Sequence, residues 1–366
     1  MKKNYYIYLL LLFFITSCFP EPDTPFKVEE EEKPIVEEPP IPNGWLVPPS
    51  QVRAGGPGKD GIRSIEAPRF MEADGITYLK PDDLVTGIKI GDDARAYPHR
   101  ILNWHELIND VVADFPVTVT YHPFTGTSVA WSRVIDNQPT TFGSSGLLYK
   151  NNLVPYDRKT ESLWSQMRMD CVNGDKLGTQ LQTFRVIETT WATWRKMFPM
   201  ARIMTTETGY NRDYNYYPYG DFRTDHERFF IKPVRTDDRL PSKERVLGVP
   251  VGERLIVYRF LYFRAEAGEP VVINDTFNNM GLVVAGNSAQ NYLVAYGRKL
   301  ADGTTLNFHA VKNQEPAILE DQEGNRWNIF GEAIGGGRTG QQLPSLQAHI
   351  GFWYTWVDFY KDIRVY

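Results

Sequence analysis

Val85-Thr-Gly-Ile-Lys-Ile-Gly91 is echoed 161 residues later by Val246-Leu-Gly-Val-Pro-Val-Gly252, and this echo decides how the chain is read. Working outward, further matches keep their order. Tyr97 pairs with Tyr258, and Ile108-Asn-Asp110 with Ile273-Asn-Asp275. Ser128–Arg133 pairs with Leu293–Arg298, Trp164 with Trp327, and Trp191-Ala-Thr-Trp194 with Trp353-Tyr-Thr-Trp356. The offset stays between 161 and 165, so the 366-residue chain carries one unit twice.

Inside the first unit, Leu84–Gly91 and Arg95–Pro98 alternate apolar and polar residues around the turn signal Gly91-Asp92-Asp93, which reads as a hairpin. Val117–His122 and Thr127–Ile135 form a second pair across Pro-Phe-Thr-Gly. Ile101–Ile108 has apolar residues at helical spacing, and Trp191, Trp194 and Phe198 mark one face of a short amphipathic helix. The expected fold class is α+β, β-rich, a pseudo-symmetric internal duplication of a mixed hairpin/short-helix unit. The expected boundaries are 45–240 for the first repeat with a Tyr-rich connecting loop, and 241–366 for a diverged second repeat.

The N-terminus reads differently. Lys2 and Lys3 precede the apolar run Ile7–Ile15, too short for a comfortable permanent span, and Ile15-Thr-Ser-Cys18 ends it. Residues 1–17 are read as a signal peptide, and the Ile-Thr-Ser-Cys stretch resembles a bacterial lipoprotein box, which implies cleavage before Cys18 and its lipidation. Several acyl chains anchor stably where one is marginal. Residues 18–44 form a Pro/Glu-rich tether, because seven prolines and eight acids between 19 and 44 cannot bury a core. The formal charge of −5 is therefore concentrated on the tether, leaving a nearly neutral body with no Lys/Arg run to suggest nucleic acid. Acidic tracts just after a lipidated cysteine resemble surface-export signals of Bacteroidetes-type lipoproteins. The expected location is the outer membrane, with surface display as the first reading and a periplasm-facing orientation as the second. Apart from Cys18 the chain holds one cysteine, Cys171, so neither an internal disulfide nor a dithiol site is available to the mature protein.

The body also resembles a bacterial and archaeal family known as domain of unknown function 3179. Ala94–Asp110, Phe142–Tyr149, Tyr156-Asp-Arg158, Ser162–Gln166, Thr208–Tyr214, Tyr217-Pro-Tyr219 and Asp238–Gly248 carry the resemblance, which covers most of residues 60–366. Members usually read Tyr-Cys-Pro-Leu-Cys-Gly where this chain reads Tyr121-His-Pro-Phe-Thr-Gly126. If the family pair is redox-active or metal-binding, the resemblance implies a lost disulfide and a weaker metal option here.

The halves differ where chemistry is available. His122 falls opposite Asn287, and His105 opposite an insertion between Tyr262 and Pro270, so a site is expected in the first unit. His105, Glu106 and His122 are the candidate pocket, with His105 and His122 as candidate ligands for zinc or copper. The simpler reading is two hydrogen-bonded structural histidines, since no His-x-x-x-His spacing appears. Trp164, Gln166, Arg212 and Tyr214 are added as polar and stacking groups, Arg for carboxylate or phosphate and the rings for stacking. Gly143-Ser-Ser-Gly146 lacks a nucleophile elbow and reads as a tight turn. Gly209–Gly220 holds five tyrosines in twelve residues, which suits a binding loop or a packed linker. The function class divides between a binding or accessory module of the cell envelope, with a glycan or envelope-protein partner, and a metal-dependent or formerly redox enzyme. No complete catalytic set assembles, which favours the module.

Overall fold

The computed structural model describes residues 44–265 and 269–366, so the signal peptide, Cys18 and nearly all of the tether lie outside the described residues. Strand accounts for 43% and helix for 10%, and the architecture is a six-bladed β-propeller. The α+β expectation is corrected on this point. The helices foreseen around residues 101–108 and 191–198 are α1 (His99–His105) and α2 (Trp191–Met197), of seven residues each, with α3 (Trp353–Phe359) repeating α2. Two turns of helix cannot cover a sheet face, so the sheets bury their faces against one another.

Three main sheets come from each half, and the first half adds a two-stranded pair of Val134–Ile135 with Gln138–Pro139. In the first half, strands Leu84–Ile90 and Asp93–Pro98 form one sheet with Val186–Thr190, Arg202–Met204 and Phe70–Glu72. Leu107–Val112, Phe115–His122, Thr127–Ser132 and Thr183–Phe184 form the second. Phe142–Tyr149, Asn152–Asp157, Leu163–Ser165 and Asp170–Asn173 form the third, with Val52–Ala54 on its edge. The second half repeats this plan. Arg245–Val251 and Arg254–Arg259 pair with His349–Phe352 and Asp362–Val365. The meander Val271–Phe277, Met280–Asn287, Tyr292–Gly297 follows, and then the sheet from Phe308–Ala310 to Ala333–Gly335. In each half the first sheet also receives a strand from the end of that half, antiparallel at Val186–Thr190 and at His349–Phe352.

The repeated residues explain why both halves fold alike. Tyr97 OH donates to Asp110 at 2.6 Å, and Tyr258 OH to Asp275 at 2.8 Å. Asn109 clasps the Phe142 backbone through both its N–H and its C=O, and Asn274 does the same at Phe308. Trp164 Nε1 donates to Asp157 at 3.0 Å and Trp327 Nε1 to Asp321 at 2.9 Å. Each clamp gives a buried polar group its partner, so it ties neighbouring strands together without leaving an orphan. Trp194 and Trp356 lie flat over glycines, since a Cβ on Gly87 or Gly248 would meet the ring at 2.0 or 2.4 Å.

The two halves join around the centre. His349–Phe352 packs on Thr127–Ser132, and Val186–Thr190 on Tyr292–Gly297, an exchange expected of a pseudo-twofold molecule. Phe352 N–H donates to the Thr125 carbonyl at 2.8 Å, and Thr189 Oγ1 to the Gln290 carbonyl at 2.6 Å. Between these strands a small cavity of about 60 Å³ contains Glu188, which pairs with Arg245 across the halves.

Candidate functional site

A second, much larger cavity of about 750 Å³ opens on the first half alone. Its base is made where α1 meets the strand Leu107–Val112. Pro98 opens the helix and Glu106 closes it with φ +58° and ψ −30°. That backbone is unfavourable for a side chain bearing a Cβ and costs of the order of 1–3 kcal/mol, so the surroundings must hold it. The distortion takes Glu106 off the helical course, into the cavity beside His122 at the end of Phe115–His122.

His122 and Glu106 are both buried, 2% exposed each. His122 Nε2 donates to the Asn151 carbonyl at 2.8 Å, so in the neutral ring Nδ1 is the nitrogen with the lone pair. Nδ1 is buried without a hydrogen-bond partner and lies 3.6 Å from Glu106 Oε2. The other carboxylate oxygen, Oε1, accepts from Tyr219 OH at 3.1 Å. Burial, reinforced by Glu106, raises the Tyr219 hydroxyl above its usual range and keeps it a donor.

His105 also lines the cavity, but its two nitrogens are engaged. Nδ1 donates to the Arg63 carbonyl and Nε2 accepts from Tyr214 OH, both at 2.7 Å. Burial holds its pKa below the ordinary histidine value, in keeping with a neutral ring. His105 and Tyr214 thus fasten the Tyr-rich loop to the backbone at Arg63. Arg212 lies at the cavity's exposed mouth, its guanidinium over the Trp104 ring at 5.6 Å. Trp164 and Gln166 are elsewhere. Trp164 is in the core of the third sheet, and Gln166 sits behind the His122 turn, bonded to Thr120, Thr127 and Asn152. No group of three or more His, Cys, Asp or Glu side chains able to hold a metal occurs among the described residues.

Sequence reasoning missed the walls. The Phe124 ring centre lies within 5 Å of those of Tyr219, edge-on, Phe222, tilted, and Phe230, stacked. The segment carrying these rings is held by buried polar anchors. Asn151 exchanges two hydrogen bonds with Ile231, and Lys243 Nζ donates to the Phe222 and Arg228 carbonyls while facing the Phe222 ring at 3.4 Å. Burial pulls the Lys243 pKa down to about 8. The aromatic density of Tyr217–Phe230 was the available signal; the anchors, distant in sequence, gave none. Ser144 and Gly146 line the far side, where the strand shifts register between Ser144 and Leu147. Gly146 has φ +77°, and a Cβ there would strike the Gly58 backbone at 2.7 Å.

With this geometry in hand the chain can be placed among known proteins. Residues 59–363 match the family described as protein of unknown function, DUF3179. The chain belongs to that family. No curated protein and no solved structure shows significant similarity to it. The DUF3179 match spans both halves of the propeller, so the duplication lies within the family's domain.

Proposed function

We propose that this DUF3179 chain is a ligand-binding module of the cell envelope, held at the outer membrane by lipid on Cys18 and displayed outward on its acidic tether. The observation that carries the binding reading is the 750 Å³ cavity with aromatic walls and the buried Glu106–His122 pair at its base. Small-molecule sites span about 300–1,000 Å³ and combine apolar walls with a few convergent polar groups. An unsatisfied buried imidazole nitrogen costs about 1–3 kcal/mol, a cost that binding can relieve. The ligand is a small molecule or the end of a glycan chain, because the polar groups lie at the base of a concave site.

The test is a melting-temperature screen of the full chain in detergent against oligosaccharides, amino compounds and carboxylates, repeated with Tyr216→Ala. Tyr216 lies at the mouth and is 59% exposed, so its loss spares the fold. A stabilising ligand that weakens in the variant supports the reading, and no shift with any compound contradicts it. The anchor is tested separately by Cys18→Ala, which should move the protein from the membrane to the soluble fraction.

A metal-dependent enzyme is the second reading, favoured by the free lone pair on His122 Nδ1 beside Glu106 Oε2. These two, not His105, would hold the ion, and two protein ligands fall short of the three of a typical catalytic zinc site. Elemental analysis with zinc and copper titration checks it; metal-free protein that gains no thermal stability from either ion removes it.

A further inference from the structure

Two buried polar groups face each other at the cavity base with no hydrogen bond between them. In the neutral ring His122 has one N–H, on Nε2 and committed to the Asn151 carbonyl, so Nδ1 presents a lone pair. Glu106 Oε2 faces it at 3.6 Å, beyond hydrogen-bond length. Tyr219 has spent its one hydroxyl proton on Oε1. With the ring neutral, a ligand group that serves both atoms at once has to donate twice. A ligand hydroxyl has one hydrogen and serves one acceptor, whereas a primary ammonium has three, serves both and neutralises the carboxylate. Phe124 and Tyr219 line the same cavity, and aromatic walls of this kind attract a cation.

At the mouth the charge changes sign. Arg63 and Arg212 are exposed there, and neither enters an ion pair among the described residues. Arg212 is instead oriented by the Asn211 carbonyl and the Trp104 ring. Unpaired guanidiniums beside a pocket are suited to carboxylate or phosphate.

We infer that the cavity takes a small zwitterion, its primary ammonium seated between Glu106 and His122 and its anionic group turned outward to Arg63 and Arg212. This rests on the reading of the cavity as a ligand site and adds the class of ligand. A short peptide with a free N-terminus and an amino sugar acid both supply that chemistry.

The experiment is calorimetric titration of the full chain in detergent with four probes: tri-alanine, N-acetyl-tri-alanine, muramic acid and N-acetylmuramic acid. At least one free amine should bind, with its acetylated counterpart at least tenfold weaker, and the responding pair identifies peptide or sugar. Glu106→Gln should reduce free-amine binding by a similar factor, and Arg212→Gln by a smaller one. The acetylation comparison uses the unaltered protein, so it stands even if a variant fails to fold. Equal binding of acetylated and free forms overturns the inference, as does silence of both free amines. If both are silent while a neutral oligosaccharide raises the melting temperature, the amine assignment fails and the binding reading survives. Silence of every compound overturns both. Zinc stabilisation lost in His122→Asn also overturns it, by giving the Nδ1 lone pair to a metal.

Discussion

The strand ends at His122 and Asn287 occupy equivalent positions in the two halves, yet they have opposite fates. Asn287 donates to the Glu269 carbonyl at 2.8 Å and accepts from Gln290 N–H at 3.0 Å, so both ends of its amide are satisfied. His122 is as deeply buried and keeps one nitrogen unpartnered beside a carboxylate. The approach to each strand differs too. In the first half the chain passes from α1 into Leu107–Val112 through Glu106 alone. In the second, residues 264–270 intervene before Val271, and the Ile-Asn-Asp match puts Val271 itself where the first half has Glu106. Meanwhile the Tyr–Asp, Asn–backbone and Trp–Asp clamps are kept in both. The comparison sets the clamps that both halves share, whose polar groups are satisfied, against the buried His122 nitrogen that faces a carboxylate in the first half.

The largest expected effect tests the shared skeleton. Trp164→Ala and Trp327→Ala should each destabilise by about 3–5 kcal/mol, by analogy with other buried aromatic truncations. Denaturant midpoints check this, and a large inequality between the two would break the equivalence of the halves. Next, Gly87→Ala and Gly248→Ala force a methyl into a tryptophan ring and should each cost about 1–3 kcal/mol. Near-neutral outcomes would mean that the rings move easily aside.

A pH measurement exploits a place where the halves diverge. His349 stands where the first half has Ile187, each opposite its repeat's conserved glycine. Burial pulls the His349 pKa down to about 4. The unfolded chain therefore takes up this proton first as pH falls below about 6.5, so stability is intact above that value and is lost between 6.5 and 4. The loss attributable to His349 should reach about 2 kcal/mol at pH 5, since each unit is worth about 1.4 kcal/mol. His349→Ile should flatten that part of the acid limb; burial of His99 and His105 acts in the same direction and leaves a residue of it. The smallest effect on stability is expected from His122→Asn, which installs the second half's residue. It should change the folding free energy by less than about 1 kcal/mol, because it removes one orphaned nitrogen and weakens one good bond, while abolishing ligand-induced stabilisation. A loss of several kcal/mol in urea titration would instead make His122 a structural residue.

The duplication was legible because the clamp residues and tryptophans recur at a nearly constant offset. The paired hairpins and α2 were legible from their periods. The six-sheet plan was not, because outer strands such as Leu163–Ser165, Arg202–Met204 and Arg326–Asn328 have three residues each, too few for alternation to register. Short helices with good spacing then weighed too heavily, which led to α+β. At the site, the concentration of His105, Glu106 and His122 in the first half could be read, but their pairing could not. Helical geometry directs adjacent residues to different faces, and only the left-handed backbone at Glu106 turns it towards His122. The cavity wall from Phe222 to Phe230 depends on Asn151 and Lys243, and such long-range anchoring leaves no local pattern.

The account's central claim is that the first half of the propeller has a ligand site that the second has lost. An electron-density map of the full chain purified from the cells that make it tests this most directly. The account predicts density for a bound small molecule between Trp104, Glu106 and His122, and none beside Asn287. An empty cavity after soaking with the ligand screen, or a molecule bound at the Asn287 end instead, would contradict it.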